Sequence, residues 1–129
     1  MCKPKLKEIS TPIAIGNNSH VISINYDLEK LIIILDIDNQ NKLLEIIFED
    51  QRGFRVLDEG DLCRYWTAGK RTESVVEVLG NGWLEYESKG HLEVTSSSSE
   101  YKEFLISGMN ECVSILSLEA PILRVINGT

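Results

Sequence analysis

The chain has 129 residues, with twenty Asp or Glu against thirteen Lys or Arg, a net charge of −7 and 43% apolar residues. That length suits one domain that can fold without covalent staples, and no apolar run approaches the roughly 20 residues of a membrane helix. The negative field opposes binding to nucleic acid or anionic membranes and steers basic partners inward.

Cys2, Cys63 and Cys112 are odd in number and far apart, which argues against a disulfide framework and against a zinc site. A reducing cytoplasm is the expected home. The first ten residues carry Lys3, Lys5 and Lys7 with no apolar core behind them, so they read as a loosely held leader to a single domain spanning 1–129, not as a signal peptide.

Taken in order, residues 12–16 suggest a short edge strand, and HVISINY (20–26) alternates as a strand should. The centre of the chain is the stretch 30–61, KLIIILDIDNQNKLLEIIFEDQRGFRVLDEGD, in which three β-type apolar runs are divided by polar turns and read as a meander. Residues 31–37 should fold back onto 43–49 through Asp38, Asn39, Gln40 and Asn41, residues that tolerate left-handed turns. In the returning strand Leu44, Ile46 and Phe48 share the core side, while Leu43, Glu45, Ile47 and Glu49 form a mixed face that begins apolar and ends acidic. Phe54 and Val56 then return to the core, and Leu57 points away.

At Leu62, Tyr65 and Trp66 the spacing changes to that of a short helix near 61–68, which Asp58 or Asp61 can cap and Gly69 can end. Beyond it the texture is again β: residues 74–79, a hairpin turn at Asn81 and Gly82, residues 83–87 and residues 91–95. After the loop TSSSSE come 101–107, 112–118 and 122–126. Helix is the alternative at 74–79 and at 112–118, where Val113, Leu116 and Ser117 fit a helical face as well as Val113 and Ile115 fit a strand. The expected fold is mainly β, with α+β as the alternative: an antiparallel meander forming a two-layer sandwich or a strongly curved sheet, with one short helix.

No catalytic signature stands out. Asp36, Asp38 and Asn39 begin like a calcium loop, but Asn41 holds the position that needs Gly and Ile47 the position that needs Glu. His20 and His91 have no second ligand at metal-site spacing, and GxSxG, HExxH and phosphate-binding glycine loops are absent. The expectation is a protein that is not an enzyme and needs no cofactor or metal. What remains is charge: residues 27–61 hold ten acids against Lys30, Lys42, Arg52 and Arg55. Glu45, Glu49, Asp50, Asp58, Glu59 and Asp61 are the candidate partner-binding carboxylates, with Trp83, Glu85 and Glu87 as a second candidate group around an aromatic anchor.

The segments FRVLDEGDLCRYW (54–66), GWLEYES (82–88) and FLISGMNECVSILSLEAPIL (104–123) resemble small bacterial immunity proteins of polymorphic toxin and contact-dependent growth inhibition systems. The resemblance implies a small cytoplasmic protein without enzymatic activity that neutralises a cognate protein toxin by binding it. A basic nuclease is the partner that best suits the acidic surface. The alternatives are a small-molecule or sugar-binding β-protein using Trp83 or Tyr86, with an enzyme included, and a structural homodimer formed through a free sheet edge.

Overall fold

A computed structural model describes residues 5–13, 15, 19–37, 42–58, 74–80, 82–84, 101–109 and 111–127. They form nine strands: β1 (Lys5–Glu8), β2 (Ser19–Tyr26), β3 (Leu31–Ile37), β4 (Lys42–Phe48), β5 (Gln51–Asp58), β6 (Val75–Gly80), β7 (Lys102–Ser107), β8 (Glu111–Ser117) and β9 (Ile122–Asn127). All pairings are antiparallel, in a four-stranded sheet of order β2-β3-β4-β9 and a five-stranded sheet of order β1-β6-β7-β8-β5. Two antiparallel sheets packed face to face are the two-layer arrangement expected from the sequence.

Strand periodicity decides which side chains meet between the layers. From the four-stranded sheet come Leu31, Ile33, Leu35 and Ile37 of β3 with Leu44, Ile46 and Phe48 of β4; from the five-stranded sheet come Val75, Phe104, Ile106, Val113 and Ile115. All are almost completely removed from water. The rings of Phe48 and Phe104 stand 5.4 Å apart and join the two layers near the middle of the core.

Several elements differ from the sequence reading. Lys5–Glu8 pairs with β6 as the edge strand of the five-stranded sheet, where a loose leader was expected. The expected strand at 12–16 does not form at the described residues there. Residues 75–80 and 111–117 are strands, which resolves the helix alternative left open at both places. β6 has β1 on one side and β7 on the other, so it does not form the hairpin expected with the following segment, of which 85–87 lie outside the described residues. With both edges taken, Trp83 and Leu84 leave the sheet with helical backbone. The helix expected near 61–68 and the strand at 91–95 lie outside the described residues.

The β7–β8 connection ties the layers together. Met109 donates its amide to the Ser19 carbonyl (2.8 Å), and the Ser19 and Ser74 hydroxyls are 3.1 Å apart. A Cβ on Gly108 would fall 2.8 Å from the backbone nitrogen of Val21, so only glycine lets the hairpin approach β2 this closely.

Three substitutions test this architecture in urea unfolding. Gly108→Ala is expected to cost about 1–3 kcal/mol, because backbone, not a flexible side-chain tip, must move. Ile33→Ala should cost about 2–5 kcal/mol as a cavity in the core, whereas Ile32→Ala, one position along on the opposite face, should cost less than half as much.

Candidate protein-binding surface

The two sheets differ in how their outer faces are treated. On the five-stranded sheet the face turned away from the core is buried as well: Val76, Leu105, Cys112, Ser114 and Leu116 are all at 0–1% exposure. Part of the cover is described. Trp83 lies against Arg55, whose guanidinium carbon is 4.6 Å from the indole centroid, and the Leu84 amide donates to the carboxylate of buried Glu103 (2.9 Å).

Among the described residues nothing comparable covers the outer face of the four-stranded sheet, yet much of that face is aliphatic. Register sets its side chains in three rows. The first is Asn25, Ile32, Ile47 and Ile122; the second Ser23, Ile34, Glu45 and Arg124; the third His20, Asp36, Leu43 and Ile126. Cross-strand neighbours on one face of a sheet have Cβ atoms about 5 Å apart, so Ile32, Ile34, Ile47 and Ile122 adjoin one another, with Leu43 and Ile126 beyond Glu45 and Arg124. Ile32, Ile34, Leu43, Ile47 and Ile126 are each partly exposed, and Ile122 is 48% exposed. An antiparallel sheet with one solvated face ordinarily alternates apolar with polar residues. β3 does not: Ile32 and Ile34 stand where polar side chains would be expected.

Glu45 sits in the middle of this surface and forms an ion pair with Arg124 of β9, N–O 2.5 Å, the glutamate nearly covered and the arginine largely exposed. The pair leaves the centre of the face locally neutral. Negative charge collects instead at one end of the sheet, where the β2–β3 and β4–β5 turns present exposed Asp27, Glu29, Glu49 and Asp50. Asp27 also shapes its turn. Its Oδ1 accepts the amides of Lys30 (3.0 Å) and Glu29 (3.1 Å), and these bonds, led by that of Lys30, hold the carboxyl below the usual aspartate range. The same turn holds Leu28 at a φ of 79° with its side chain in solvent.

The sequence-derived site is therefore divided. Glu45, Glu49 and Asp50 belong to the four-stranded sheet and its end, but Glu45 is an ion-paired residue at the centre of a face, not a rim charge. Asp58 closes β5 opposite Glu111, roughly 20–25 Å along the strand from the Asp50 turn. Trp83, read as an outer-face anchor beside Glu85 and Glu87, is partly buried over the other sheet. Glu59, Asp61, Glu85 and Glu87 lie outside the described residues. Ile32, Ile34, Ile122 and Arg124 were missed; the signal that could have found them is the unbroken LIIIL of β3 inside an antiparallel meander.

Among the described residues no three or more His, Cys, Asp or Glu side chains converge as a metal site requires, and no helix there is long and apolar enough to cross a membrane.

The acidic turn gives two checks. A carboxyl titration by NMR should place Asp27 below a model-peptide aspartate. Because the folded value is the depressed one, the carboxylate's contribution is full above the unfolded value and is lost as pH falls through the folded value. Leu28→Asn should raise stability by about 0.5–1 kcal/mol, since asparagine tolerates the left-handed region and Leu28 buries nothing there. Comparison with protein-family models, with curated proteins and with solved structures found no match to this chain.

Proposed function

We propose that this chain is a protein-binding module whose role is to neutralise a basic protein toxin, as the resemblance to small bacterial immunity proteins implies. The observation that carries the reading is an uncovered aliphatic sheet face bordered at one end by carboxylates. Binding energy in protein interfaces is concentrated in an apolar centre, while peripheral charge governs encounter rate and partner choice. A toxin domain that handles nucleic acid must be basic to hold phosphates, and an acidic protein occupies such a surface by charge mimicry. In this role the protein acts in the cytoplasm of the cell that makes the toxin and uses no cofactor.

The test is co-expression. The C-terminal domain of the protein encoded immediately upstream should arrest growth alone, and this chain should restore it through a complex recoverable by size-exclusion chromatography. Glu49→Lys and Asp50→Lys should slow association and flatten its salt dependence while leaving dissociation nearly unchanged. An upstream domain that is harmless, or whose toxicity persists although this chain is expressed and folded, would refute the assignment.

A further inference from the structure

Within the toxin-neutralising reading, on which this inference rests, we propose that the partner docks on the outer face of the four-stranded sheet and presents an apolar patch bordered by lysine or arginine. Three observations converge on that face. The first is the contrast between the layers: Leu105, Ser114 and Leu116 on the outside of the five-stranded sheet are buried, whereas Ile32, Ile34 and Ile47 on the outside of the four-stranded sheet remain partly in water. An aliphatic patch of this kind, partly in water in a chain with 26% charged residues, marks an interaction site.

The second concerns the edges, which are the other places where a β-protein recruits a partner. β2 carries a register break between Val21 and Ser23 that leaves Ile22 unpaired, and β9 carries Arg124 on its middle turn of the pleat. Bulges and charged side chains are what discourage strand addition at an edge. The face, not the edge, is open.

The third is charge. Among the strand positions of this face the basic side chains are Arg124, which Glu45 already holds, and His20, which stands in register with Asp36. Asp36 stands on the face beside His20, and at its end Asp27, Glu29, Glu49 and Asp50 outnumber Lys30 and Arg52, so a partner approaching the aliphatic rows meets a net negative field. Lysine or arginine around the partner's apolar patch matches that arrangement. A second copy of this chain does not, because it brings a further net charge of −7 to the contact. Docking also covers Glu45. A buried carboxylate needs its remaining lone pairs satisfied, so the partner places a donor opposite the middle row.

The inference is tested by selecting a displayed library of random peptides on the immobilised full chain, then measuring the affinity of selected peptides for the parent and for Ile32→Ser, Ile47→Ser and Leu79→Ser. Leu79 is exposed on β6 of the other sheet and serves as the control. Circular dichroism establishes that each variant is folded, and Ile122→Ser, at an exposed edge position, replaces either isoleucine variant that is not.

The expected result is peptides that combine Leu, Ile or Phe with Lys or Arg, bound at least about tenfold more weakly by the two isoleucine variants and equally by Leu79→Ser. Peptides without basic residues, affinities indifferent to the isoleucine variants, or no enrichment at all would overturn it. So would sedimentation showing a dimeric parent and monomeric isoleucine variants, since the occupant would then be a second copy. Growth rescue that survives Ile32→Ser and Ile47→Ser would remove this docking site but leave toxin neutralisation standing; selected peptides that bind as expected, with no rescue, would do the reverse.

Discussion

The contact between the inner faces of β3 and β4 and those of β7 and β8 is the constraint on which the rest of the molecule depends. Leu31, Ile33, Leu35, Leu44, Ile46 and Phe48 can leave water only if Phe104, Ile106, Val113 and Ile115 close over them. A sheet with one apolar face is not stable alone and must bury it against another layer. The burial fixes register throughout, because a slip of one residue in β3 would turn Ile33 outward and Ile32 or Asp36 inward. Gly108 and the Ser19–Met109 hydrogen bond then hold the β7–β8 hairpin against β2 at a distance that no larger residue at 108 permits.

Once that seal is made, the two sheets have unequal fates. The five-stranded sheet has a second buried surface, Val76, Val78, Leu105 and Cys112 with Leu6 and Leu57 packed against them, and so is enclosed on both sides. The four-stranded sheet, among the described residues, is enclosed on one side only, and its outer aliphatics stay partly in water. β3 and β4 nevertheless present Ile32, Ile34, Leu43 and Ile47 outward, and the Glu45–Arg124 ion pair on that outer face joins two neighbouring strands. The sandwich thus carries one surface whose chemistry suits an interior and whose position is exterior.

Apart from Asp36 and the Glu45–Arg124 pair, which stand on the face itself, the acidic charge is arranged around this surface. The carboxylates of Asp27, Glu29, Glu49 and Asp50 sit in turns at one end, where they stay hydrated and where the Asp27 carboxylate also caps the amides of its own turn. Keeping the charges at the end avoids the desolvation that four carboxylates would suffer beneath a partner. It also leaves their field free to act at a distance.

The fold class, the return of β3 onto β4 and the core side of β4 are legible in the sequence, because alternation at period two is written in Leu44, Ile46 and Phe48 and in the turn residues around them; the third run of the meander expected over 30–61, β5, instead leaves for the five-stranded sheet beside β8, and β9 takes the place next to β4. In β5 the sequence placed Phe54 inward and Leu57 on the other face, but Val56, expected at the core with Phe54, is 42% exposed. It did not determine which strands become neighbours. Lys5–Glu8 is too short and too polar to announce a strand and becomes one only because β6 offers a free edge; Asn81 and Gly82 carry a strong local hairpin signal that loses because β1 and β7 occupy both sides of β6. The candidate surface follows the same division. The acidity of Glu49 and Asp50 was legible, but β9 pairs with β4 across more than seventy intervening residues, and only that pairing sets Arg124 beside Glu45 and Ile122 beside Ile47. Whether Ile32 and Ile34 face a second layer or solvent is a property of how the sheets stack, since an aliphatic run reads the same in either case.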